Sequence, residues 1–191
     1  EVDITASLLN IGVEGDAVSF IFESSLSGPE ITILDALVAA HVPTSDQNDS
    51  VSILTDERGT GEDGGTFTSG SWQRRDLNTI HGSNVNNWVM LSNNKFSLIE
   101  GHYFVSANAR SYNSGNNQLR VFDVTNDAPL FYGENSTNNI AILKHHLTVA
   151  SGWQTFQLEH RCSVTQADTG FGVANSFGGP EIYTQLKIQQ L

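Results

Sequence analysis

A glycine-rich stretch from Asp56 to Thr79, DERGTGEDGGTFTSGSWQRRDLNT, constrains the fold of this 191-residue chain more than any other segment. Its glycines permit backbone conformations that are closed to other residues. Between them, residues 66–68 (Thr-Phe-Thr) form one short β-favouring segment. The stretch directly follows residues 51–55, whose apolar pattern predicts a β-strand. We therefore expect it to carry the chain from one β-sheet to another through tight turns.

From Val51 onward the pattern predicts short strands separated by turns, and no helix. Asn-Asn, Ser-Gly and Asn-Asp pairs mark the connections. Only 16% of the residues are charged, which suits an all-β surface of turns and hydroxyl-bearing strands. The expected fold class is therefore mainly β, a sandwich or barrel. The expected strands are 51–55, 66–69, 72–77, 87–91, 96–99, 101–111, 118–124, 129–133, 139–148, 154–161 and 181–189.

The first 43 residues have a different pattern. Ile4, Ala6 and Leu8 alternate with polar residues, and a second alternating run follows residues 12–16, so a β-hairpin is expected. Ser27-Gly28-Pro29-Glu30 has the form of a helix capping box, and the apolar period after it predicts about three helical turns ending before Pro43. We expect an N-terminal hairpin–helix unit (1–43), a linker (44–50) and a larger β domain (51–191). Because about 40 residues seldom bury enough surface to be stable alone, we expect this anchoring unit to pack on a sister subunit, on the larger domain or on a host particle.

Several blocks of the larger domain resemble the TNF/C1q-like jelly-roll domains of bacteriophage virion proteins. They are GGTFTSGSW and RDLNT within 56–79, FSLIEGHYFVSANA (96–109), LEHRC (158–162) and TGFGVANSFGGPEIYTQLKI (169–188). The resemblance implies a jelly-roll sandwich and a homotrimer packed along the inner sheet. It also implies a place among the proteins of a virion.

Two strands carry apolar residues on both faces, although a sandwich needs only one apolar face per strand. In 101–112, Tyr103 and Val105 share one face, and Phe104 and Tyr112 lie on the other. In 181–189, we expect Ile182 to share a face with Leu186 and Ile188, and Tyr183 to point the opposite way. Aromatic residues are enriched in protein interfaces, so Phe104, Tyr112 and Tyr183 are the predicted trimer contacts.

The formal net charge of −12 argues against nucleic acid as a partner, because phosphate binding needs a basic face. It also disfavours an anionic membrane surface. Cys162 is the only cysteine, so no intrachain disulfide can form, and we expect it to be a small core residue.

No motif predicts catalysis, a cofactor or a metal. His145 and His146 are adjacent on a strand and point to opposite faces, so one chain could offer only one of them to a metal ion. On a threefold axis, three chains could each contribute one histidine to the same ion. The segment 123–127 lacks the glycine and terminal glutamate of a calcium loop and predicts a turn held by Asp and Asn side chains. Arg120 and Arg161 lie in apolar strands, where each is expected to pair with a carboxylate such as Asp123 or Glu159, or to bridge subunits.

The absence of a catalytic motif, together with what the resemblance implies, favours a non-enzymatic structural protein on the exterior of a bacteriophage virion. Within that class we expect a capsid decoration, or cement, protein that contacts the major capsid protein. One alternative is the head of a tail fibre that binds a receptor or host surface glycan, with Trp72, Trp88 or Trp153 stacking on sugar rings. A more remote alternative is a glycan-cleaving enzyme, which would need two carboxylates ~5–10 Å apart in a groove, and no pair in the sequence stands out.

Overall fold

The computed structural model describes residues 8–14, 17–40, 51–82, 88–137 and 139–191, with the side chains of 22–36 described in the first part. The chain divides into two compact units, Glu1–Ser45 and Asp46–Leu191. The predicted linker 44–50 lies outside the described residues, as do Ile4 and Ala6.

The first unit is a β-hairpin and a helix, as predicted. Strands β1 (Leu8–Glu14) and β2 (Ala17–Phe22) pair antiparallel, and helix α1 runs from Gly28 to Ala40. The predicted cap is present: Glu30 Oε2 accepts hydrogen bonds from the Ser27 hydroxyl (2.6 Å) and the Ser27 backbone N–H (2.8 Å). This contact satisfies a backbone donor before the helix begins and fixes where α1 starts.

The second unit is a sandwich of two antiparallel sheets, which confirms the predicted fold class. Its strands are β3 Val51–Arg58, β4 Gln73–Arg74, β5 Thr79–Gly82, β6 Val89–Ser92, β7 Lys95–Leu98, β8 Gly101–Arg110, β9 Asn117–Asp123, β10 Ala128–Tyr132, β11 Ile140–Val149, β12 Gln154–Cys162 and β13 Glu181–Gln190. One sheet has the order β11-β8-β13-β3-β5, and the other has the order β10-β9-β12-β7-β6 with β4 paired to β12. Apart from the hairpins β6–β7 and β9–β10, consecutive strands lie in opposite sheets, as in a jelly roll.

The glycine-rich stretch crosses between the sheets, as predicted, but with less strand than expected. Residues 66–69 contribute only the isolated bridge from Phe67 to Gln166, and 72–77 only the two-residue β4. The Arg75 N–H donates to Leu158 O of one sheet, whereas the Asn78 N–H donates to Thr55 O of the other. A backbone that changes sheets within three residues cannot extend a ladder in either, so the predicted strand 72–77 is wrong beyond Arg74. The sequence pattern also missed β5.

The core lies between the two sheets and is built from alternate residues of each strand. Its aromatic members, all fully or almost fully buried, are Trp88, Tyr103, Phe96, Phe156 and Phe131. Tyr103 donates its hydroxyl to Ile99 O at 2.8 Å, which satisfies its polar end. Side chains that point away from this core form the two outer faces of the sandwich.

Candidate subunit interface and surface clefts

The outer face of the five-stranded sheet carries the predicted contact residue Phe104. In β8, Tyr103, Val105, Ala107 and Ala109 are buried, and the residues between them face outward, as the alternation predicted. Phe104 is half-buried, and its ring lies 5.2 Å from that of His146 on the neighbouring strand β11. The face is therefore covered only in part by its own side chains.

Exposed apolar side chains concentrate at one end of this face, which we call the apolar end. Among the residues that the structure describes, it holds six of the fifteen large apolar side chains with substantial exposure. Three of the six also line a cleft of about 440 Å³ at the edge of the sheet. Its members are Tyr112, Ile140, Ile142, Val173, Phe177 and Ile182.

Tyr183 lies elsewhere than its sequence pattern suggested. A register shift between Ile182 and Thr184 breaks the alternation, so Ile182 is exposed while Thr184, Leu186 and Ile188 face inward. The predicted common face of Ile182 and Leu186 is therefore wrong. Tyr183 is only 3% exposed, and its hydroxyl donates to Glu62 O at 2.7 Å. An uncovered ring was the reason for placing Tyr183 at a trimer interface, and that reason no longer holds, although the contact itself stays a prediction.

The middle of the same face is basic. Lys144, Ser106 and Lys187 lie side by side on β11, β8 and β13, so the two lysines flank a single strand. The chain has three lysines in all and a net charge of −12. At the far edge, His81 Nε2 lies 2.5 Å from Glu57 Oε1, and this hydrogen bond lowers the pKa of Glu57.

The two adjacent histidines diverge, as expected. The ring of His145 stacks on Phe131 of the other sheet at 4.4 Å, and His146 contacts Phe104. Within the described ranges, no group of three His, Cys, Asp or Glu side chains is placed to hold a metal ion. At the predicted turn, Asp123 Oδ1 accepts the Asn126 N–H at 3.0 Å, and Asp123 Oδ2 accepts the Asn126 side-chain amide at 2.7 Å, which confirms that Asp and Asn side chains hold it.

A buried charged cluster lies between the sheets, and the sequence reasoning did not find it. Arg75 is 1% exposed; its Nε donates to Thr184 Oγ1 at 2.7 Å, and Nη2 lies 3.9 Å from Asp56 Oδ2. The guanidinium also lies 4.1 Å from the centroid of the Phe171 ring. Burial lowers the pKa of Arg75 to about 10 and raises the pKa of Asp56, despite their mutual attraction.

Arg120 and Arg161 behave differently from one another. Arg120 Nε lies 2.5 Å from Glu159 Oε2, which confirms one of the two predicted partners, and its guanidinium lies 4.4 Å from the Trp72 ring. Arg161 is exposed, so its charge carries no cost of burial. The argument that Arg161 must pair with a carboxylate because its charge is buried is therefore wrong. Both side chains belong to the outer face of the six-stranded sheet.

The three tryptophans differ in burial, and the single cysteine is buried. Trp88 is buried in the core, Trp72 is half-buried against Tyr132, and Trp153 is exposed. Cys162 is 3% exposed, with Sγ 3.3 Å from Val164 O, and burial raises the pKa of its thiol. The expectation that Cys162 is a buried core residue is thus confirmed.

A second, larger cleft of about 640 Å³ lies at one end of the six-stranded sheet. Its lining side chains are mainly amides and hydroxyls, and none of the described lining residues is Asp or Glu. The lining residues are Ser69, Gly70, Asn116, Asn117, Gln118, Asn135, Ser136, Thr137, Arg161, Cys162 and Ser163. Among the described residues, no helix is long and apolar enough to span a bilayer.

No protein-family model and no curated protein matches this chain by sequence. Among solved structures, it is similar to murine APRIL (12% identity, 74% of this chain, 98% of that chain, TM-score 0.45). It is also similar to the PRD1 vertex protein P5 (14%, 75%, 97%, 0.44) and to the globular domain of zebrafish complement 1qA (17%, 73%, 93%, 0.41). These are likenesses of fold alone. Structures of the TNF/C1q-like jelly-roll class that the sequence motifs resemble are among these likenesses.

Proposed function

We propose that this protein is a non-enzymatic, homotrimeric structural component of a bacteriophage virion, exposed on the particle and serving as a capsid decoration protein. The observation that carries the proposal is the apolar end of the five-stranded sheet. Large exposed apolar patches on soluble proteins mark sites of association. Half-buried Phe104 lies on the same outer face, on the far side of Lys144, Ser106 and Lys187 from the apolar end, and subunit contact across this face would cover both.

The basic row formed by Lys144, Ser106 and Lys187 favours a ring of subunits over a twofold dimer. In a twofold contact centred on this face, Lys144 and Lys187 would approach the same lysines of the partner, since such an interface is self-complementary. A head-to-tail contact instead places the basic row against a different, acidic surface of the next copy. With a net charge of −12, the chain has acidic surface available. Head-to-tail contacts form a ring when the rotation between neighbouring copies closes, and the motif resemblance implies closure with three copies.

The clefts support a binding or structural role rather than hydrolysis. Cleavage of a glycan normally needs two carboxylates on either side of the bond. Among the residues that the structure describes, no carboxylate lines the larger cleft, and Glu181 alone lines the smaller. The carboxylate of Glu181 accepts backbone N–H groups of Gly61 (3.2 Å), Asn175 (3.0 Å) and Ser176 (2.8 Å), which lower its pKa. A carboxylate bound in this way orders two loops and is poorly suited to proton transfer.

The first unit supplies the proposed attachment to the capsid. Helix α1 exposes Ile31 and leaves Ile33 and Leu34 half-buried. A short helix with uncovered apolar residues gains stability by packing on a partner surface. The major capsid protein is the partner we propose for it.

The oligomeric state tests the first part of the proposal. We expect sedimentation of the full chain at micromolar concentration to give a trimer, and Ile142→Asp to shift it to monomer because a buried charge without a partner is costly. Leu130→Asp is the matched control, since Leu130 is similarly exposed (43% against 40%) but lies on the other sheet. A wild-type monomer, or equal dissociation of both variants, would contradict the interface.

Attachment is tested separately with capsid shells assembled from the phage major capsid protein. We expect the full-length trimer to co-sediment with the shells and Ile31→Asp to abolish co-sedimentation while leaving the trimer intact. A trimer that ignores the shells but locates to tail fibres in particle images would instead favour the receptor-binding alternative.

A further inference from the structure

The larger cleft has a lining that the proposed structural role does not require. It lies between the glycine-rich stretch (Ser69, Gly70), the start of β9, residues 135–137 and the end of β12. These elements belong to the six-stranded sheet and its loops, away from the outer face of the five-stranded sheet. A trimer formed through that face leaves the strands that line the cleft out of the contact.

The walls of the cleft are held in place by hydrogen bonds of their own. Ser163 Oγ accepts the Asn116 N–H at 2.9 Å, and Thr165 Oγ1 accepts the Ser69 N–H at 2.9 Å. Gln118 Nε2 donates to Gly133 O at 2.9 Å, and the Ser136 hydroxyl donates to Ile140 O at 2.7 Å. A cleft fixed in this way loses little conformational entropy when a ligand binds.

Exposed amide and hydroxyl groups remain at the surface of the cleft. The side chains of Asn116, Asn135 and Thr137 are all exposed there. Amides both donate and accept hydrogen bonds, which matches the mixed character of a sugar hydroxyl. Sites for apolar ligands or drug-like molecules are mainly hydrophobic and aromatic, and Cys162 is the main apolar side chain of this lining.

Arg161 is the single charged residue of the lining. Glu159, two residues away on the same face of β12, is already bonded to Arg120 Nε (2.5 Å) and Gln157 Nε2 (2.7 Å). The exposed guanidinium of Arg161 can therefore meet an anionic group of a ligand, and its planar fork matches a carboxylate. A polyanion such as nucleic acid would be repelled by the net charge of −12, whereas one carboxylate needs one arginine.

We propose that this cleft binds an acidic saccharide, with the sugar carboxylate on Arg161 and its hydroxyls on the amides of Asn116 and Asn135. At about 640 Å³ the cleft falls within the size range of sites for small ligands. Exposed Tyr132 and half-buried Trp72 extend the site at its rim. Trp72 follows the lining residue Gly70 by two positions. Tyr132 pairs with Arg120, which lies two residues (~7 Å) along β9 from the lining residue Gln118. The inference is independent of trimer formation and of attachment to a capsid.

The test measures binding of defined oligosaccharides to the full chain by titration calorimetry. The probes are a tetrasaccharide of alternating glucuronate and N-acetylglucosamine, sialyllactose, and the neutral controls chitotetraose and lactose. We expect at least one acidic probe to bind with a Kd of about 1 mM or tighter and its neutral counterpart to bind at least about tenfold more weakly. Which acidic probe binds distinguishes a uronate from a sialate ligand.

Variants then locate the site. Arg161→Gln should weaken the acidic probe about tenfold or more, and Asn135→Ala should weaken it several-fold. Arg74→Gln, an exposed arginine on the same sheet outside the cleft, should leave binding unchanged. Because Arg161 is exposed, its variant is expected to fold, and an unchanged tryptophan emission spectrum checks this. The proposal is overturned if no acidic probe binds, if neutral probes bind equally well, or if Arg161→Gln and Arg74→Gln have the same effect.

Discussion

The buried pair Arg75–Asp56 gives the sharpest prediction about what holds the sandwich together. Both side chains are almost completely buried, and Arg75 Nη2 lies 3.9 Å from Asp56 Oδ2. Arg75 also donates to Thr184 Oγ1 and to Tyr183 O (3.2 Å). We propose to replace each member of the pair separately and both together, as Arg75→Met, Asp56→Asn and the double variant.

The magnitude follows from the cost of burying each charge. The drop in the Arg75 pKa from 12.5 to about 10 corresponds to roughly 3 kcal/mol against the charged form in the fold. Removing one member leaves the other buried without its counter-ion, which costs about 3–5 kcal/mol. Asp56 keeps a second partner, since Arg58 Nε lies 3.3 Å from Asp56 Oδ1. Asp56→Asn should therefore lower the free energy of unfolding more than Arg75→Met does.

Urea unfolding followed by tryptophan fluorescence is a suitable assay, because Trp72, Trp88 and Trp153 all lie in the second unit. At fixed protein concentration and pH 7, the double variant should lose less than the sum of the single losses, by about 1.5 kcal/mol or more. Arg74→Met is the control, since the neighbouring arginine is exposed. Additive losses within about 0.5 kcal/mol, or equal losses for Arg75→Met and Arg74→Met, would refute the reasoning.

Two further predictions concern the same region. Gly172→Ala should destabilise the fold by about 3 kcal/mol, because its Cβ would lie 2.2 Å from Tyr183 Cδ1 at a φ of +138°; Gly179→Ala, which meets nothing within 4 Å, should change urea stability little. Burial, reinforced by the charge of Arg75, holds the pKa of His160 well below 6.5, so the folded state stays neutral while the unfolded state gains a proton. Stability should therefore fall as the pH drops below about 6.5, by up to about 1.4 kcal/mol per pH unit. His160→Gln should remove this slope and His145→Gln should not; an unchanged slope in His160→Gln would contradict the assignment.

Much of the fold could be predicted from the sequence because most strands obey a strict two-residue alternation. Strand β8 is the clearest example: every second residue from Tyr103 to Ala109 is buried, as the pattern required. The alternation fails where a local irregularity of the backbone shifts the register of a strand. Between Ile182 and Thr184 a register shift places Ile182 on the face opposite to Leu186, and nothing in the local sequence marks this shift.

Arg75 was missed for a different reason. Nothing local separates it from Arg74, and only the turn from one sheet to the other directs Arg75 inward. One signal could have revealed it: Asp56 is in phase with Leu54 on β3, and a carboxylate at an inward position requires a buried cationic partner. The clefts could not be predicted at all, because each combines residues from distant parts of the chain.

The sequence blocks that carry the jelly-roll resemblance are in contact with one another. Gly64 N–H donates to Gly172 O and Gly65 N–H to Asp168 O, both at 2.9 Å, and the Phe67 and Phe171 rings stack at 4.4 Å. Phe171 in turn covers Arg75. The motif residues therefore hold two loops against each other and over the buried Arg75–Asp56 pair. Their role is to stabilise the fold and not to bind a ligand. What distinguishes this protein from others of the same fold must lie on surfaces that the motifs leave free, and the apolar end of the five-stranded sheet and the cleft at Arg161 are two such surfaces.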